Sequence, residues 1–137
     1  MPRNTRTGAM LESIMGPPLQ MGGYNFTTQV KIGTRPGGRK HYADVIAEKD
    51  GRRIIVSVKN QQVGGTAEEK IPWEVICQMH AVKEYGYDKA YIVLGGIGWT
   101  LRDFYVRGGL LEYIPHNPQV QVVTLEQFMA LANQGKL

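Results

Sequence analysis

Apolar and polar positions alternate over residues 41–48 (HYADVIAE) and again over 52–59 (RRIIVSVK), the two-residue period of β-strands. Between them lies Lys49-Asp50-Gly51, and Asp-Gly is the pair favoured by two-residue hairpin turns because both positions take positive φ. With Asp50-Gly51 as the turn, Lys49 faces Arg52, Asp44 faces Ser57 and Tyr42 faces Lys59. One face of this hairpin then carries Ala43, Val45, Ala47, Ile54, Val56 and Val58, wholly apolar, and reads as the core face. The other carries Tyr42, Asp44, Ile46, Glu48, Arg53, Ile55, Ser57 and Lys59. A one-residue slip would separate Asp44 from Lys59, so the register carries the chemistry.

The flanking patterns predict the remaining elements. Residues 4–14 read as a first helix capped by Asn4 or Thr5 and stopped by Gly16, Pro17 and Pro18. Residues 16–23 then form a Gly/Pro-rich loop, 25–32 a strand and 33–39 (GTRPGGR) a loop tip. Residues 66–85 read as a long helix. Thr66 and Glu69 have capping-box spacing, and Pro72 places the start of regular helix near Glu69 or Lys70. Ile71, Val75, Met79 and Val82 form its apolar stripe, and Gly86 ends it. A buried strand over 89–94, a short helix over 100–107, a strand over 119–123 and a helix over 125–134 capped by Thr124 complete the chain. The order is that of an α/β fold, a central mixed sheet flanked by helices, and residues 1–137 read as one domain.

Composition excludes several classes. At 42% hydrophobic and 20% charged residues the chain is globular. Cys77 is the only cysteine, so no intrachain disulfide and no cysteine-based zinc site can form, and its apolar helical setting makes it core filler. No apolar run reaches the roughly 20 residues that span a bilayer, and no apolar signal region follows the basic N-terminus. The expectation is a cytoplasmic protein without a membrane partner. The net charge is +4, and its distribution is uneven. Residues 1–42 hold Arg3, Arg6, Lys31, Arg35, Arg39 and Lys40 against a single acid, Glu12. That asymmetry suits a phosphate-bearing partner. The loops at 16–23 and 33–39, with Arg35, Arg39 and Lys40, are the candidate contacts for such a partner.

An acid beside an ammonium on a hairpin is usually a plain cross-strand ion pair, since facing Cβ atoms sit about 4.5–5.5 Å apart. Here the polar face continues into Asn60-Gln61-Gln62 and a Gly-Gly loop that can admit a ligand backbone. His41, His80 and His116 pair with no nucleophile. Trp73 and Trp99 read as packing or interface residues, and GGIGW lacks the following helix of a phosphate loop.

Asp44, the tripeptide Ser57-Val58-Lys59 and the continuation Lys59-Asn60-Gln61, in this order of elements, resemble the PD-(D/E)XK superfamily of restriction enzymes, junction resolvases and some homing endonucleases. The likeness covers roughly residues 5–95 and implies a restriction-endonuclease-like αβββαβ core. Asp44 matches the first acid and Lys59 the lysine, while Ser57 stands where the family has a second acid. Two residues could supply the missing carboxylate. Glu12 follows a stretch, Arg6 to Leu11, similar to the first helix of archaeal junction resolvases. Glu74 has the spacing at which some restriction enzymes with Ser-x-Lys recruit a glutamate from the next helix.

The resemblance implies a divalent-metal-dependent endonuclease acting on duplex or branched DNA with Mg²⁺ (or Mn²⁺). Asp44 with Glu12 or Glu74 would hold the metal, Lys59 would position the attacking water, Gln61 would orient water or phosphate, and Ser57 would bond a metal-bound water. So small a chain implies a homodimer or higher symmetric homo-oligomer. The alternative is a nuclease-like DNA-binding or assembly subunit without catalysis, which Ser57 favours. A purely structural protein with a decorative ion pair is the third reading.

Overall fold

A computed structural model describes residues 5–115 and 119–137, without the side chains of residues 5–7, 66 and 67. The cap expected at Asn4, the basic residue Arg3 and His116 lie outside the described residues, as do the side chains of Arg6 and Thr66. The elements are α1 (Thr5–Met21), β1 (Asn25–Thr34), β2 (Lys40–Lys49), β3 (Arg52–Asn60), a 3₁₀ turn (Thr66–Lys70), α2 (Ile71–Tyr85), β4 (Lys89–Gly95), α3 (Arg102–Val106), a 3₁₀ turn (Gly109–Glu112), β5 (Val120–Thr124) and α4 (Leu125–Asn133). The five strands lie in sequence order across one sheet. β1–β2 and β2–β3 are antiparallel, β3–β4 and β4–β5 parallel. This is the mixed α/β sheet of a restriction-endonuclease-like fold.

Helices cover both faces. Leu11, Met15 and Leu19 of α1 and Phe128 and Ala132 of α4 pack with Val45, Ala47, Ile54, Val56, Tyr91 and Val93 in one layer. Ile71 and Val75 of α2 and Tyr105 of α3 pack with Ile46, Ile55, Ile92 and Leu94 in the other. The face of the hairpin expected to be polar is therefore half core. Parallel crossovers place helices on both sides of a sheet, and strands between them are apolar on both.

The first helix departs from expectation. It runs through Pro17 and Pro18 to Met21, although each interior proline costs on the order of 3 kcal/mol in lost hydrogen bond and ring clash. Leu11, Met15 and Leu19 are all buried, and burial contributes roughly 1.5–3 kcal/mol for each such side chain, a sum of the same order as the cost of the prolines. The stretch 16–21 is thus helix and not loop. It is the end of α1, where Gly22 lies so close to α4 that a Cβ would stand 1.8 Å from the Ala132 carbonyl oxygen.

The hairpin turn forms at Asp50 (φ 53°) and Gly51 (φ 79°). Its register follows the expected pairing from Lys49↔Arg52 to Val45↔Val56, and there the ladder stops. Asp44 does not pair with Ser57, nor Tyr42 with Lys59. The cause is a kink shared by two strands. Gln29 of β1, at φ 52°, and Asp44 of β2 fall at a gap between the pairs Thr28↔Val45 and Val30↔Ala43 of the β1–β2 register. Phe26 packs in the α1–α4 layer, yet Val30 and Ile32 pack in the α2–α3 layer. Likewise Val45 and Ala47 belong to the first layer and Ala43 to the second. Residues two apart share a face in a regular strand, so both strands change faces together at this step, and β2 and β3 fork apart beyond it.

Candidate active site

The fork creates the site. Asp44, released from the ladder, accepts the Val58 amide N–H on Oδ2 at 2.6 Å. Its carboxylate thereby replaces a strand partner for β3 and is fixed by the backbone. On the α1 side it lines a cleft of about 360 Å³ with Leu11, Ile14, Val58, Asn60 and Gly96. The cleft lies at the carboxyl ends of β3 and β4, where open α/β sheets generally bind ligands.

On the α2 side, residues 57 and 59 project toward the helix. Glu74, in the first turn of α2, is 4% exposed. Its Oε2 lies 3.7 Å from Lys59 Nζ and 3.1 Å from an Arg35 guanidinium nitrogen. Burial alone would push its pKa up, but Lys59, Arg35 and the nearby Ser57 hydroxyl outweigh it and hold the carboxyl below the ordinary range. Asp44 goes the other way. Burial raises it, Glu74 adds to the rise, and the Val58 N–H and Lys59 offset only part. Two carboxylates pushed apart by one environment are a recurrent feature of functional sites.

The remaining candidates fall as follows. Ser57 is buried at the fork. Gln61 is buried too, its side-chain amide donating to the Gly98 carbonyl at 2.8 Å. Its backbone donates to Gly95 and accepts from Gly98, so Gln61 clips the end of β3 to the 96–99 loop. Gly96 (φ 87°) permits that approach, because a Cβ there would stand 2.3 Å from the Gln61 carbonyl oxygen. Glu12 is exposed on α1 and is not among the cleft-lining residues. Arg39 and Lys40 are exposed at the tip of the β1–β2 connection, whereas Arg35 turns inward to Glu74.

Two neighbours of the Glu74 carboxylate were not legible as such, Arg35 being expected only as a DNA contact. Arg35 reaches α2 from a loop 39 positions away in sequence, a contact no local pattern encodes. His41 is buried, with no hydrogen-bond partner for Nδ1 among the described residues. Burial first, then Arg35, lowers its pKa to about 4 despite Glu74. Its place on the same strand as the hairpin acid was the only sequence signal for it.

The carboxylates suit a hard divalent cation. Mg²⁺ takes one or two carboxylates and completes its shell with water and phosphate. Glu74 Oε1 is buried without a hydrogen-bond partner among the described residues, an acceptor in need of a positive partner. The described residues contain no group of three or more His, Cys, Asp or Glu able to hold an ion on their own.

A family model of the PD-(D/E)XK nuclease superfamily domain matches residues 3–136. The chain belongs to this superfamily. No curated protein matches the chain. Among solved structures, a crystal structure of a protein of unknown function shares the PD-(D/E)XK fold of this chain at TM-score 0.52 and 15% identity, over 88% of this chain and 58% of that one. A repair endonuclease from Pyrococcus abyssi matches more loosely, with TM-score 0.44 and 14% identity over 90% of this chain and 46% of that one. This chain therefore spans about half the length of both.

Proposed function

We propose that this superfamily member is a divalent-metal-dependent DNA endonuclease, with Asp44, Lys59 and Glu74 as its working residues and Ser57 in the place of the family's second acid. The supporting observation is Glu74: a buried carboxylate from α2, beside Ser57 and 3.7 Å from Lys59, within electrostatic reach of Asp44. It brings back the negative charge that Ser57 lacks.

Asp44 and Glu74 would hold Mg²⁺ or Mn²⁺. When bound, such an ion polarises a phosphate and makes its water more acidic. The chain's own groups do the rest. Val58 N–H fixes the Asp44 carboxylate. Lys59, partly exposed at the mouth of the fork, supplies positive charge against the phosphorane as it forms. Gln61 keeps the 96–99 loop against β3 and so sets the cleft wall. The exposed Arg39 and Lys40 bind DNA phosphates. Two copies related by symmetry would address both strands of a duplex. Residues 1–137 act as one domain in this reading. No helix among the described residues is long and apolar enough to cross a membrane.

The test is incubation of wild type and Asp44→Asn with duplex and four-way-junction DNAs, with Mg²⁺, with Mn²⁺ and with EDTA. The proposal expects discrete products from wild type with metal only. The second reading, a DNA-binding or assembly subunit without catalysis, is favoured by Ser57 itself. It expects retained binding and no cutting with either metal.

A further inference from the structure

The sequence pattern puts Arg35 on the DNA-facing surface, and the structure turns it inward. Its guanidinium lies 3.1 Å from Glu74 Oε2, the oxygen that Lys59 also approaches at 3.7 Å. Two cations thus share one oxygen, while Oε1 has no hydrogen-bond partner among the described residues. The two cations beside this buried carboxylate repel further positive charge, and the guanidinium, which touches it, is a direct part of that repulsion.

The backbone of Arg35 belongs to the loop tip that exposes Arg39 and Lys40. Arg35 N–H donates to the Arg39 carbonyl at 2.7 Å, and Gly38 N–H donates to the Arg35 carbonyl at 3.0 Å. The turn between them passes through Gly37 and Gly38 at φ 91° and 97°. Just before it, Thr34 N–H donates to the Tyr85 hydroxyl at 2.8 Å, pinning the end of β1 to α2. A force on Arg39 therefore acts on a small hydrogen-bonded turn hinged at a fixed point, and that turn carries Arg35.

We propose that Arg35 is a positioning residue that couples phosphate contact to cation binding: it occupies Glu74 while the loop is free, and withdraws when Arg39 and Lys40 engage DNA. The inference rests on Glu74 being a cation ligand and adds how the substrate would control it. It makes the ion bind well only in the presence of DNA, so that the site stays weakly charged until the substrate is seated.

Mn²⁺ binding to the full chain, read from the EPR signal of free Mn²⁺, tests this without any cutting. Without DNA, Arg35→Gln binds Mn²⁺ on the order of tenfold more tightly than wild type. Arg35→Lys, which keeps the charge, stays near wild type. The double variant Arg35→Gln/Glu74→Gln loses the gain. Added duplex DNA tightens Mn²⁺ binding to wild type and does so much less for Arg35→Gln. Unchanged or weaker binding by Arg35→Gln, or a gain that survives Glu74→Gln, overturns the proposal. If Arg35→Gln does not fold, the wild-type measurement with and without DNA decides, and no DNA-dependent gain overturns it. The nuclease reading fails separately: a gain in Mn²⁺ affinity with no cutting by any form keeps the coupling and removes the catalysis, and cutting without the gain does the reverse.

Discussion

The Asp44 carboxylate takes the Val58 amide N–H at 2.6 Å, at the point where the β2–β3 ladder has just ended at Val45↔Val56. One side chain therefore both terminates the hairpin and presents an acid to the cleft. An asparagine can accept the same N–H through its amide oxygen. The two roles can be separated by changing one atom.

Asp44→Asn should abolish metal-dependent cutting while leaving the protein as stable as wild type at neutral pH, or more stable. The sign follows from the raised pKa, whose main cause is burial. A carboxyl with a folded pKa above its unfolded value binds more protons when folded, so its contribution falls as pH rises past the ordinary aspartate value of 3.8. Removing the charge removes that penalty. Thermal melts of both forms at pH 7 check it, and a clearly lower melting temperature for the variant would show that the charge itself supports the fold.

Glu74→Gln should destabilise by about 1–3 kcal/mol at pH 7, since it leaves Arg35 and Lys59 facing a neutral group in a buried setting. Both cations keep some exposure, 22% and 31%, which places the loss below that of a fully buried pair. Burial opposes ionisation here but is outweighed, and the folded pKa lies below the ordinary glutamate value of 4.5. The stabilisation is therefore complete above that value and disappears as pH falls through the folded pKa. Urea unfolding of wild type and variant from pH 7 to pH 3 should show the two curves converging on the acid side.

Lys59→Ala should reduce cutting by a factor of about a hundred or more, in the range of losses for a preorganised charge at a reacting centre, with DNA affinity nearly unchanged. Binding by anisotropy and cleavage under single-turnover conditions separate the two. Equal reduction of both would make Lys59 a DNA-binding residue.

Arg39→Gln and Lys40→Gln should each weaken DNA binding and reduce the slope of log affinity against log salt by about 0.9 for each phosphate no longer neutralised. A slope that stays at the wild-type value would move the DNA surface away from the β1–β2 tip.

Gly96→Ala should destabilise by roughly 2–4 kcal/mol, from positive φ and backbone collision combined, because its Cβ would meet the Gln61 carbonyl at 2.3 Å. Gly64→Ala, with open space around it, is the control. Equal denaturation midpoints would mean that the β3 end and the 96–99 loop separate easily.

What the sequence made legible was local. The Asp50-Gly51 turn and the register near it depend on residues within a few positions. Thr124 and Gln127 form a capping box that starts α4, again over one turn. Glu74 comes to Lys59 because the connection 61–70, with Gly64-Gly65 and a 3₁₀ turn, leads directly into α2, a constraint that spacing can reveal. The length of α1 was hidden, since Pro17 and Pro18 argue for a stop and only packing of Met15 and Leu19 against distant strands overrules them. The change of faces at Gln29 and Asp44 was hidden more deeply. It requires two strands to kink at the same place, and neither pattern alone shows it. Arg35 at Glu74 depends on how a loop folds over a helix, which no period records.

That shared kink also governs how copies of this chain can meet. β1 is an edge of the sheet and β5 is the other, and β1 is broken both at Gln29 and again between Lys31 and Gly33. Interrupted edges make poor templates for another strand, and β5 is only five residues long. Neither rim offers a straight run for sheet-to-sheet extension across two subunits. Pairing of two copies would then favour helices and loops, where geometry is set by side chains and not by backbone ladders, over the sheet-to-sheet stacking to which long open sheets are prone.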